Sequence, residues 1–79
     1  MTTGEMIAFK RKRYGWTQEK LAEIVGVSRP TISQWESDKC LPDATKVIIM
    51  SKIFNCSTDD LLNPTPPLSE MDQGEREAV

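Results

Sequence analysis

Apolar positions along this chain recur with helical spacing, and no run shows the period of two expected of a strand. Glu5 to Tyr14 reads as a first helix, with Ile7 and Tyr14 on one face and the aliphatic stem of Lys10 between them. Gly15 ends it. Thr17 is placed to cap a second helix, with Glu19 near the positive end of its dipole. Leu21, Ala22 and Val25 form its apolar stripe, and Gly26 stops it by turning left-handed. A third helix starts at Ser28 or Arg29 and runs to about Ser37. A Ser28 cap makes Arg29 helical just before a proline, which is disfavoured. An Arg29 cap puts Pro30 at the first helical position, where its missing N–H is harmless. Pro42 and Asp43 open a fourth helix that reaches Phe54, with Asn55 as a left-handed stop. Ser57 to Asp60 has capping-box spacing and introduces a short fifth helix carrying Leu61 and Leu62.

The break at Gly26-Val27-Ser28 matters because of the helix that comes after it. On a wheel of about 100° per residue, Ile32, Trp35 and Glu36 fall on one side of the third helix. Arg29, Pro30, Ser33, Gln34 and Ser37 fall on the other. A solvent-facing surface is usually filled with Glu and Lys. This one holds hydrogen-bonding groups of modest reach, which suit base edges in a major groove. Arginine grips guanine O6 and N7, and glutamine grips adenine N6 and N7. The small Ala22 allows close approach of the two helices, and Gly26 makes the turn between them, so the spacing is that of a helix-turn-helix. Gln18, at the start of the second helix, is placed to meet a phosphate together with free backbone N–H groups.

The fourth helix carries more apolar surface than one stripe needs. Val47, Met50 and Phe54 make a core stripe, while Ile48, Ile49 and Ile53 leave a second patch. That patch is either a wide core face or, with Leu61 and Leu62, a homodimer interface.

Composition adjusts this picture modestly. The 79 residues allow one domain with a small core. The net charge of −2 argues against nucleic acid until it is divided. Residues 63–79 hold four acids (Glu70, Asp72, Glu75, Glu77) against Arg76, a net −3, which leaves +1 for residues 1–62 with a basic run at Lys10 to Arg13. Within that run Arg11 is expected to be structural. Residues 63–79, opening Asn63-Pro64-Thr65-Pro66-Pro67, read as an extended linker and an acidic, mobile tail. Cys40 and Cys56 are too few for a disulfide scaffold and are expected to be small buried hydrophobes in a reducing compartment. No segment has the length of a signal peptide's apolar run or of a membrane span, so a cytoplasmic protein without membrane contact is expected. With no histidine, no CxxC pair and no glycine-rich phosphate loop, neither catalysis, a metal nor a cofactor is expected.

Thr17-Gln18-Glu19-Lys20-Leu21-Ala22, Gly26-Val27-Ser28, Ile32-Ser33-Gln34-Trp35-Glu36, Pro42, and Ser57 with Leu61-Leu62 together resemble the lambda-repressor/Cro (XRE-type) helix-turn-helix family over roughly residues 5–62. The resemblance implies an all-α, compact bundle of five short helices whose third helix enters the major groove of double-stranded DNA, often as a dimer on paired half-sites. It places Gln18, Ser28, Arg29, Pro30, Thr31, Ser33 and Gln34 at DNA-touching positions, and Ser37 and Lys39 at the phosphate backbone. Base reading is expected of Arg29, Pro30, Ser33 and Gln34, and positioning of Gln18, Ser28, Thr31, Ser37 and Lys39. Three positions depart from the family pattern: Asp38 stands where glycine is usual, Pro30 where a polar reader is common, and Lys10 where the first helix is often apolar. The expected function is a sequence-specific transcriptional regulator, in most cases of this type a repressor, with no small-molecule ligand. An antitoxin or adaptor that uses the same fold to hold a protein partner is the alternative, and the chain could also be a piece of a larger repressor.

Overall fold

Thr2-Thr3-Gly4-Glu5 is a reciprocal capping box. Thr2 Oγ1 accepts from the Glu5 N–H (3.1 Å), and Glu5 Oε1 accepts from the Thr2 N–H (2.9 Å). In the computed structural model, which describes residues 1–64, α1 therefore spans Thr3–Arg13 and starts two residues before the position predicted from the apolar pattern. Gly15 turns left-handed after it (φ 73°), as predicted. α2 (Gln18–Val25) is capped by Thr17 and stopped by Gly26 at φ 87°. α3 (Arg29–Glu36) is capped by Ser28, which settles the choice between Ser28 and Arg29. Ser28 Oγ accepts from the Thr31 N–H and also pairs with the Thr31 hydroxyl at 2.9 Å. Arginine cannot supply that oxygen acceptor, and this outweighs the reluctance of Arg29 to be helical before proline. α4 (Ala44–Ile53) is capped by Asp43 and followed by Asn55 at φ 54°. α5 (Thr58–Leu62) has the predicted capping box between Ser57 and Asp60.

The five helices are the only regular elements among the described residues, so the all-α bundle expected from the pattern is found. Ile7, Leu21, Ile32, Met50, Phe54 and Leu61 are the large side chains fully buried at its centre, and every helix contributes to them directly or through its C-cap. α2 and α3 make the most extensive helix contact, and Ala22 of α2 is buried. The tail expected over 63–79 lies, apart from Asn63 and Pro64, outside the described residues. No described helix is long and apolar enough to cross a membrane.

Three expectations need correction. Leu61 is wholly buried, and Ile49 and Ile53 pack partly against the core, so of the five apolar residues offered as an interface only Ile48 and Leu62 are well exposed. The helical phase of α5 turns Leu61 inward and its neighbour outward. Cys40 is exposed, because it sits in the loop after α3. Cys56 is half-buried, and burial pushes its thiol above the ordinary value, with Lys10 opposing and Asp60 adding to the shift. Tyr14 does not share the buried face of Ile7. It is about half exposed, stacks on Trp16 with ring centroids 4.8 Å apart, and donates its hydroxyl to the Phe54 carbonyl at 3.1 Å.

Gly4 marks where α1 meets the end of α3. A Cβ on Gly4 would lie 2.4 Å from the Trp35 carbonyl oxygen and 2.7 Å from that of Glu36. Both are backbone atoms that cannot rotate away. Gly4→Ala is expected to separate α1 from α3 despite alanine's better helix propensity, costing about 2–3 kcal/mol and lowering Tm by about 10 °C or more. Thermal unfolding followed by circular dichroism measures it.

Candidate nucleic-acid interface

α3 is amphipathic in the sense the wheel required. Ile32 and Trp35 are 0% and 5% exposed and anchor it from behind. Arg29, Pro30, Gln34 and Ser37 are exposed, and Thr31 and Ser33 half-exposed. Arg29 forms no ion pair among the described residues, so its guanidinium is available. Gln34 is steadied at both ends. Its carbonyl accepts from the Lys39 and Cys40 N–H groups (2.9 and 3.3 Å) and from the Ser37 hydroxyl (3.2 Å). Its side-chain Oε1 lies 3.6 Å from the Cys40 thiol.

Beneath this surface a charged hub joins three helices. Arg11 Nε donates to Glu36 Oε2 (2.6 Å) and Nη2 to Oε1 (3.1 Å), with the two side chains only 12% and 9% exposed. Arg11 Nη1 donates to the Trp16 carbonyl at 2.7 Å. The structural role expected for Arg11 is therefore found. Gln18 Nε2 also donates to Glu36 Oε1, at 3.0 Å. This contact leaves Gln18 at the start of α2 with one amide hydrogen and its carbonyl oxygen uncommitted, beside the first N–H groups of that helix. The orientation of the Gln18 amide is set by Glu36, a link between residues far apart in sequence.

Ser37, Asp38 and Lys39 form the turn that leaves α3. Asp38 is left-handed at φ 63°, where glycine would be unstrained. The strain costs about 1 kcal/mol relative to glycine. It is offset by contacts invisible in the local sequence. Asp38 Oδ1 accepts from the Gly4 N–H (3.0 Å) and Oδ2 from the Thr2 hydroxyl (2.6 Å), so the carboxylate caps α1 from across the fold. The basic run divides by environment: Arg11 is committed, Lys10 is half-buried, and Lys12 and Arg13 are exposed. Among the described residues no group of side chains could hold a metal ion.

Two helices meeting at a left-handed glycine, the second displaying an anchored polar face, define a helix-turn-helix protein. A family model described as helix-turn-helix matches residues 7–61. The HTH-type transcriptional regulator DicA of Escherichia coli (strain K12) is 33% identical over 76 residues, which cover 89% of this chain and 56% of that protein. Repressor protein C2 of Salmonella phage P22 is 41% identical over 59 residues, covering 75% of this chain and 27% of that protein. The chain thus spans about half or less of these relatives' length. The crystal structure of the P22 c2 repressor in complex with a synthetic operator superposes with a TM-score of 0.78 at 37% identity, covering 82% of this chain and 98% of that one. The chain belongs to the helix-turn-helix family of lambda-repressor (XRE) type, a family of DNA-binding transcription regulators and not of enzymes.

Proposed function

We propose that this chain is a sequence-specific, double-stranded-DNA-binding transcription regulator of the cytoplasm, acting as a homodimeric repressor with α3 in the major groove. The observation that carries this reading is the exposed face of α3, where Arg29 and Gln34 are exposed over the buried Ile32 and Trp35. Arg29, Pro30, Ser33 and Gln34 read bases: arginine on guanine, glutamine on adenine, and the proline ring against a thymine methyl. Gln18, Ser28, Thr31, Ser37 and Lys39 hold the phosphates and set the register. The P22 neighbour is an operator complex, which supports the same docking for this chain. Titration of a fluorescent duplex against scrambled DNA across a salt series tests the reading. Tight binding that falls steeply with salt supports it. Equal, weak binding to both duplexes contradicts it.

The homodimer rests on an apolar concavity of about 410 Å³ lined by Pro42, Ala44, Val47, Ile48, Thr58 and Leu62. Leu41 is exposed beside it in sequence, at 71%, with Ile48 at 47% and Leu62 at 52%. For a two-fold dimer to read both half-sites, its two α3 helices must lie about 34 Å apart, one turn of DNA. Ile48→Asp is expected to leave the fold intact, because Ile48 is half exposed, and to convert the dimer to a monomer with a large loss of affinity for a two-half-site duplex. Sedimentation velocity with and without DNA measures it. A wild-type chain that stays monomeric on DNA removes the dimer. The same concavity favours one other reading, a protein-holding antitoxin or adaptor, in which Ile48→Asp destroys partner binding and spares DNA binding.

A further inference from the structure

We infer that Asp38 is a positioning residue for the phosphate-binding side of the interface: by locking onto the start of α1, it holds the turn that carries Ser37 and Lys39. The inference rests on the DNA-binding reading above.

The geometry is specific to this residue. A left-handed position after a helix is normally filled by glycine because glycine meets no steric penalty there. A bare glycine closes the turn but ties it to nothing else. Here the position holds a carboxylate whose two oxygens both find donors at the start of another helix, the Gly4 N–H at 3.0 Å and the Thr2 hydroxyl at 2.6 Å. The Thr2 oxygen that donates to Asp38 also accepts from the Glu5 N–H, so the tether runs into the capping box of α1. Gly4 brings the two backbones together, since a Cβ there would lie 2.8 Å from Asp38 Oδ1 as well as against the carbonyls that end α3. The positive end of α1 thus rests on the negative end of α3. Ser37 and Lys39, the two residues assigned to phosphates, flank Asp38 directly, and the Lys39 N–H closes the turn onto the Gln34 carbonyl at 2.9 Å. A turn clamped from two sides presents the Lys39 ammonium with less entropy to lose on binding. The negative charge of Asp38 would otherwise oppose a phosphate. Its two oxygens are engaged by donors at α1.

The test compares Asp38→Asn with Asp38→Gly. Both remove the charge, so repulsion of DNA by the carboxylate cancels between them. Asparagine tolerates the left-handed conformation. Its carbonyl oxygen can accept from Gly4, and its amide can donate to the Thr2 hydroxyl. Glycine keeps the turn and drops the tether. On a duplex selected by the wild-type chain from a randomised pool, Asp38→Gly should bind severalfold more weakly than Asp38→Asn, with a slope of log affinity against log salt shallower by about 0.9, one phosphate contact. Lys39→Ala should lower that slope in the Asp38→Asn background and leave it unchanged in Asp38→Gly. In the free proteins, amide hydrogen exchange at Lys39 and Cys40 should be severalfold faster in Asp38→Gly than in Asp38→Asn. Equal affinities, slopes and exchange rates in the two variants overturn the inference while leaving the DNA-binding reading in place. A wild-type chain that selects no duplex overturns both.

Discussion

Arg29→Glu combined with Gln34→Ala is expected to abolish preference for a duplex selected from a randomised pool and to leave the thermal unfolding curve close to that of the wild type. Both side chains are exposed on α3, and neither contributes to the core around Ile32 and Trp35. The fold therefore has little to lose. The interface has much to lose. A bidentate contact from arginine or glutamine is worth about 1–3 kcal/mol of discrimination against a wrong base. Removing two of them, and placing a carboxylate against the DNA, weakens specific binding by at least about a hundredfold. Binding to scrambled DNA falls much less, by the charge change alone. Fluorescence anisotropy on both duplexes measures the ratio, and a double variant that retains the wild-type preference excludes α3 as the reader.

Glu36→Ala has the largest effect expected on stability. It removes the acceptor for three donors at once, two on Arg11 and one on Gln18. The remaining guanidinium sits in a site where the two partners are only 12% and 9% exposed. Breaking a buried pair by deleting one member costs about 3–5 kcal/mol, because the other charge is left uncompensated. A small domain of this type has about 5 kcal/mol or a little more to spare, so most of the folding free energy is at stake. The expected Tm loss is about 15 °C or more, since each kcal/mol shifts a domain of this size by about 4–8 °C. Glu36→Gln keeps one acceptor for Arg11 and should lose about half as much. Urea titration with both variants checks the order. A Glu36→Ala protein as stable as the wild type would show that the hub contributes packing and no electrostatic hold.

Features that depend on neighbours a few residues apart are legible in the sequence. Thr17, Asp43 and Ser57 act as caps where hydroxyl or carboxylate residues precede apolar runs, and Gly26 and Asn55 turn left-handed where the runs stop. The inward side of α3 follows from the three-residue spacing of Ile32 and Trp35. The capping box at Thr2 and Glu5 is equally local, but no apolar periodicity draws attention to it, so the predicted start of α1 falls two residues late. The hidden features depend on contacts between distant residues. The Asp38 carboxylate meets Thr2 and Gly4, and the Gln18 amide meets Glu36, only once the helices have packed. The inward turn of Leu61 and outward turn of Leu62 are likewise decided by how a five-residue helix docks on α1 and α4. Exposure of Cys40 comes from its place beyond the left-handed turn, not from its residue type.

The proposed function turns on sequence reading by α3. Selection from a randomised duplex pool, followed by binding of the winner against scrambled DNA over a salt series, tests it without any variant. The predicted result is a palindrome with half-sites about one helical turn apart, strongly preferred over scrambled DNA, with affinity falling linearly on a log–log salt plot. Failure to enrich any sequence at low salt would contradict it and leave the polar face of α3 without a role in reading DNA.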